Sequence, residues 1–304
     1  LNTNQKAIDL FEKNEYKEAF ELFQKAVKES RNIQSLNNLA WFYLYEEEDD
    51  DTALELIKET ISLNPSSYFP YNIISEIYIG QKKWKLASCM LQKSISIQPS
   101  YEALRNYAIT NYHLGNLEEA AELFLKVAGN SDHMLYCYVK CLIELGRKSE
   151  AKEKLKEFDE EADDFDGVVE LAELYLELEC YEEAVHYFEK GWLEYSKGPY
   201  WISRFIYSLF KANNITRINE VINESIKEKI EEIQDATEES IEENWTENDK
   251  AEYIKHLNEE KATYENMVEL IISGHKPLIT FEPASTGSCY LFGCKQHKHP
   301  EHQE

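Results

Sequence analysis

Turn-forming residues are scarce: 10 glycines and 7 prolines in 304 residues. That excludes collagen-like and Gly/Ser-linker chains, and it disfavours hairpin-dense all-β folds, whose turns need glycine. Long apolar runs are missing too. Clusters such as Val268-Glu269-Leu270-Ile271-Ile272 fall far short of the ~20 apolar residues that a membrane-spanning helix requires. Basic residues are outnumbered, 32 Lys and Arg against 58 Asp and Glu, for a net charge of −26. Such a chain repels phosphate backbones and anionic lipid, so neither nucleic acid nor membrane is an expected partner. A hydrophobic fraction of 43% still suffices for a core and excludes wholesale disorder.

Catalytic signatures are absent as well. There is no glycine-rich phosphate loop, no Gly-x-Ser-x-Gly elbow and no kinase motif, so no enzyme is expected. Of the six cysteines, Cys89, Cys137, Cys141 and Cys180 fall in helical apolar patterns, where a thiol acts as a small core hydrophobe. Reduced thiols and a cytoplasmic location are the expectation. The sequence starts Leu1-Asn2-Thr3 with no basic-then-apolar leader, which reads as a trimmed chain.

What is present is a repeat. Ala19, Ala53, Ala87, Ala120, Ala151, Ala184 and Ile218 recur at intervals of 34, 34, 33, 31, 33 and 34 residues. A large apolar residue follows each by four: Phe23, Ile57, Leu91, Phe124, Leu155, Phe188 and Ile222. Each unit carries two apolar stripes of helical period, broken by a turn in which Asn14, Lys82-Lys83, Gly115, Gly146 or Asn213-Asn214 sits. Pro65 and Pro99 stop two of the second helices. Neither helix can bury its stripe alone, so neighbouring units must stack, with the alanine where two helices cross.

Residues 36–65, with Leu36-Asn37-Asn38-Leu39-Ala40-Trp41-Phe42-Tyr43 followed by Asp51-Thr52-Ala53-Leu54-Glu55-Leu56-Ile57 and Asn64-Pro65, resemble a tetratricopeptide repeat (TPR). Residues 68–99 and 101–128 do so too. The resemblance covers residues 1–226 in seven units and implies an all-α, right-handed α-solenoid of TPR-like helix pairs. Residues 227–273 read as a C-terminal capping helical hairpin. From Ile222 and Ile226 the stripe runs on through Ile230, Ile233, Ile241 and Trp245 and continues the last repeat helix, Thr246-Glu247-Asn248-Asp249 turns and caps, and Ile254 to Ile271 return. Residues 274–304 form an irregular tail rich in Cys and His, with a short strand expected at Leu278-Ile279-Thr280-Phe281.

In the family resembled, the first helix of each unit lines an inner groove that holds peptides. The corresponding positions are Trp41, Tyr45, Phe69, Asn72, Arg105, Ile109, Tyr112, Tyr136, Lys140, Tyr200 and Tyr207. Aromatic anchors with a few polar groups suit a binding surface, although about half of such rings belong to the core. A carboxylate clamp for chaperone C-termini is not expected. The first register offers Asn4, Ile8, Asn38, Phe69 and Ile73, of which only Asn38 matches, and a later one includes Glu76, which would repel a carboxylate.

The acidic runs Glu46-Glu47-Glu48-Asp49-Asp50-Asp51 and Asp159 to Asp166, and the twelve acids against two lysines over residues 231–260, lack the ligand alternation of a calcium loop. They read as solvated surface whose field attracts a basic partner. The tail holds a candidate zinc site, Cys289, Cys294, His297, His299 and His302, spaced C-x4-C-x2-H-x-H-x2-H. Two thiolates and two imidazoles suffice for tetrahedral zinc, although the spacing is not that of a zinc finger.

The leading expectation is a non-enzymatic scaffold that binds a protein or peptide in its groove. An acidic immunity-type inhibitor of a basic toxin or nuclease, a peptide-sensing regulator and, last, a metal-dependent enzyme are the alternatives. The inner wall is expected to await another polypeptide.

Overall fold

The structure, a computed structural model, describes residues 2–129, 131–161, 165, 167–239 and 246–302. Ile241 and Trp245 of the capping stripe, and Asp163, Asp164 and Asp166 of the second acidic run, lie outside the described residues. Two compact units emerge, one of Leu1–Asn130 with Glu282–Glu304 and one of Ser131–Phe281. The division expected from sequence, at 226 and 273, follows the repeats, whereas compactness assigns the end of the tail to the first repeats.

In the first unit eight helices form four pairs: α1 Thr3–Phe11 with α2 Tyr16–Glu29, α3 Ile33–Tyr45 with α4 Asp50–Ser62, α5 Phe69–Gly80 with α6 Trp84–Ile97, and α7 Tyr101–His113 with α8 Leu117–Ala128. In the second, α9 Asp132–Glu144 pairs with α10 Lys148–Lys154, α11 Val168–Glu177 with α12 Tyr181–Glu194, and α13 Pro199–Lys211 with α14 Ile215–Glu238. The chain is an all-α solenoid of TPR-like pairs, and within each unit the opening helices neighbour one another. α15, Glu247–Ile272, returns along α14 and also packs on α13. The expected cap at its start is present: Thr246 and Asp249 exchange side-chain to backbone bonds as a capping box.

The repeating residue is buried in every pair, from Ala19 to Ala184 and Ile218, which lets the two backbones approach. Five residues before each stands a left-handed residue: Asn14, Glu48, Lys82, Gly115, Gly146, Glu179 and Asn213. In six of these turns the next amide donates to a carbonyl five residues back, as in Lys83 N to Tyr78 O at 2.8 Å and Asn116 N to Asn111 O at 2.9 Å. This left-handed closure satisfies helix-end carbonyls that would otherwise lack a donor. Glu48 and Glu179 adopt it without the help of glycine or asparagine, so composition did not reveal those two turns.

Two expectations are corrected. Cys89 is exposed rather than part of the core, while Cys137, Cys141 and Cys180 are buried as expected. Residues 278–281 form no strand, because their backbone groups bond helix side chains: Arg204 donates to Leu278 O, and Thr280 N donates to the Tyr200 hydroxyl at 3.3 Å. Among the described residues no helix is long and apolar enough to cross a membrane.

Candidate interaction groove

In the first unit the opening helices present one common face, and an extended polypeptide lies along it. That polypeptide is the chain's own tail. The sequence leaves this trough open for another molecule; the structure fills it, because Tyr290, Leu291, Phe292 and Cys294 are apolar, belong to no helix and bury themselves here, each no more than 2% exposed.

The grip on the main chain has a period of two. Carbonyls of alternate tail residues each meet a side-chain donor: Ala284 O meets Arg105 at 3.3 Å, Thr286 O meets Asn106 at 2.7 Å, Ser288 O meets the Trp41 indole at 3.0 Å, Tyr290 O meets Asn37 at 2.7 Å and Phe292 O meets Asn38 at 3.0 Å. In extended chain every second carbonyl points the same way, so one helical face can satisfy them all. Two asparagines also accept. Asn106 Oδ1 takes the Thr286 amide and Asn38 Oδ1 the Phe292 amide, each at 2.9 Å. The tail thus passes from α7 to α3 and then to α1, against the order of the repeats. On α1, Gln5 donates to Gly293 O at 3.4 Å, and just past its end the Glu12 carboxylate accepts from the amides of Lys295 and Gln296 at 2.8 and 3.1 Å.

Side chains complete the fit. Phe69 packs on Tyr290, Phe292 and His299, with ring centroids 5.7, 5.0 and 4.7 Å apart. Tyr45 donates to Glu76, and the Tyr290 hydroxyl lies beside the same carboxyl. Burial outweighs these donors and pushes the Glu76 carboxyl up to about 8, so it is mostly protonated at neutral pH. Gly287 crosses directly above this pair: a Cβ there would stand 2.0 Å from Tyr45 Oη and 2.8 Å from Glu76 Oε2.

In the second unit residues 278–281 use equivalent positions. Arg204 lies over the Tyr200 ring at 3.4 Å, ion-pairs with buried Glu173 and donates twice to Leu278 O. Desolvation outweighs Arg204 and pushes Glu173 up to about 7. Lys140 pairs with Glu177 at 2.5 Å and faces the Phe281 ring, which Tyr136 also meets at 5.7 Å.

The sequence-derived residues therefore divide. Trp41, Phe69 and Arg105 touch the tail in the first unit, with Tyr45 and Asn72 beside it. Tyr136, Lys140 and Tyr200 touch residues 280–281 in the second. Tyr112 lies edge-on to His113, Tyr207 lies near Lys211, and Ile109 is core. Lys140 is only 2% exposed, which makes it a structural ion-pair partner and not a free charge in the trough. Asn38, weighed from sequence only as a position of the rejected carboxylate clamp, and Asn37, Asn106, Gln5 and Glu12, which are absent from the inner positions read from sequence, hold the tail's backbone. Of the five candidate metal ligands, Cys289, Cys294 and His297 come together. His299 instead turns Nδ1 to Leu291 O at 3.2 Å, and His302 lies edge-on to Phe292 at 5.2 Å.

Residues 7–116 match the family model of ChAPs (Chs5p-Arf1p-binding proteins). No curated protein matches the chain. Among solved structures it is similar to a tetratricopeptide repeat protein from Parabacteroides merdae, with 18% identity over 80% of this chain and 93% of that one and a TM-score of 0.53. It is also similar to pilF of Pseudomonas aeruginosa, with 15% identity, 63% and 89% coverage and a TM-score of 0.49. A third similarity is to YrrB, a TPR protein with an unusual peptide-binding site, with 19% identity, 55% and 89% coverage and a TM-score of 0.46. The helix pairs, their left-handed turns and the Parabacteroides structure agree that this chain has the tetratricopeptide-repeat fold.

Proposed function

We propose that the chain is a non-enzymatic scaffold that binds a protein or peptide partner by clasping extended main chain along the opening helices. The observation that carries this reading is the row of side-chain donors meeting five alternate carbonyls of the tail. Backbone recognition of this kind depends little on the peptide's sequence, so another extended segment can compete for the same donors. The family matched over residues 7–116 is named for binding two proteins, which supports a protein partner. The charge of −26 favours a basic one, captured faster at low salt.

Occupation by the chain's own tail also favours the peptide-sensing reading, in which a partner works by displacing residues 284–296. A labelled peptide of that sequence, added in trans, tests both. It should bind a Phe292→Ala variant of the full chain more tightly than the unaltered chain, whose tail competes at high effective concentration. Absence of binding to the folded variant contradicts the groove reading. Equal binding to both chains contradicts displacement.

A further inference from the structure

The tail does more than lie in the groove; it folds back on itself. Cys294 N donates to Leu291 O at 3.3 Å, His299 N to Cys294 O at 2.8 Å and Gly293 N to Pro300 O at 3.0 Å. This looping brings one ligand atom from each of Cys289, Cys294 and His297 to within 4.8 Å of one another. Cys294 Sγ and His297 Nδ1 are 3.3 Å apart, close to the roughly 3.6 Å edge of a tetrahedron built with Zn–S near 2.3 Å and Zn–N near 2.0 Å. Glu12 Oε1, 3.7 Å from Cys294 Sγ, accepts the amides of Lys295 and Gln296 and so holds this loop against the end of α1.

We propose that Cys289, Cys294 and His297 form a zinc site that fastens the tail in its docked form. Two thiolates and one imidazole are a soft set that selects zinc over magnesium or calcium. On binding, each thiol gives up its proton to solvent and two S–Zn bonds replace two S–H bonds. The ion joins Cys289 to Cys294, the two ends of the stretch whose carbonyls at 290 and 292 are held by Asn37 and Asn38. Closing that short loop fixes Tyr290 and Phe292 in the spacing that Phe69 receives. A metal that binds the looped tail and not the free one stabilises docking by mass action. The site stands whether or not the groove meets a partner.

The test uses the full chain, purified under reductant, loaded with zinc and dialysed against zinc-free buffer. About one equivalent of zinc should remain, and Co²⁺ in its place should show thiolate charge-transfer and tetrahedral d–d absorption. Both signals should disappear in His297→Ala, which removes an exposed side chain stacked on His299 at 5.6 Å, and in Cys294→Ser; both should survive in His302→Ala. Zinc should also slow hydrogen exchange at the Phe292 amide by at least about 10-fold relative to chelator. Retention of metal by His297→Ala, its loss from His302→Ala, or no metal on a chain whose six thiols all titrate as free overturns the site. A Cys289–Cys294 disulfide found by peptide mapping under the same conditions overturns it as well.

Discussion

Asn38 holds both backbone groups of Phe292: its Oδ1 accepts the amide at 2.9 Å and its Nδ2 donates to the carbonyl at 3.0 Å. The two residues are 254 positions apart in sequence and both are buried. Asn38→Leu keeps the volume and removes the pairing, leaving the buried amide without its acceptor and the carbonyl with the longer bond from Gln34 at 3.5 Å. The cost of about 2 kcal/mol corresponds to roughly 30-fold more opening of the tail. Thiol labelling under chelator checks this: Cys294 should react roughly 30-fold faster, with exposed Cys89 unchanged as the internal control. Equal Cys294 rates in the two chains contradict it.

Gly287 marks the closest approach of the tail to the helices. An added Cβ meets Tyr45 Oη and Cε1 at 2.0 and 2.8 Å and Glu76 Oε2 at 2.8 Å, and Tyr45 is itself held by Glu76. Gly287→Ala should therefore lift the tail from this point and expose residues near it to protease. Adding Tyr45→Ala should restore protection in part. A Gly287→Ala tail as resistant as the natural one contradicts the close approach.

The fold was largely legible because its signal is periodic. A buried small residue every 31–34 positions, with a large one four later, needs only the chain itself to be seen. The groove was half legible. Trp41, Phe69 and Arg105 stand at inner positions that a repeat register identifies. The role of Asn37, Asn38 and Asn106 was not legible, even though Asn38 stands out as a clamp position, because they bond main chain, which leaves no complementary pattern in the tail. A signal was present nonetheless. Asn37-Asn38 sits mid-helix between Leu36 and Leu39, where an amide without a partner is costly, and Tyr290-Leu291-Phe292 is an apolar triplet outside any helical stripe. That these two anomalies answer each other depends on tertiary contact, which spacing does not encode.

Glu76 gives the docked tail a pH dependence. Its carboxyl is raised to about 8 by burial, and the groups that face it are Tyr45 from α3, Tyr290 from the tail and Glu102 from α7. Below the ordinary glutamate value the group is protonated both folded and unfolded, and its contribution is fully present. As pH rises from there to about 8 the unfolded chain ionises first, so stability falls across that window and levels off above it. Thermal midpoints at about pH 5.5 and about pH 8.5 should differ more in the natural chain than in Glu76→Gln. An identical difference in both contradicts the raised carboxyl.

Glu48 occupies a left-handed turn at φ 52° with a β-carbon that disfavours it. Glycine removes that strain, and its greater unfolded-state freedom offsets only part of the gain. Glu48→Gly should raise stability by about 1 kcal/mol, seen as a higher denaturation midpoint with an unchanged m-value. A lower midpoint means that the turn does not hold this conformation.

Residue-resolved hydrogen exchange of the intact chain in native buffer tests the occupied groove most directly. The amides of Thr286 and Phe292, held by Asn106 and Asn38, should exchange far more slowly than that of Lys298, which donates within the tail itself, to Lys295 O at 3.1 Å. Exchange at Thr286 and Phe292 as fast as in the free peptide would mean that the tail does not fill the first unit's groove.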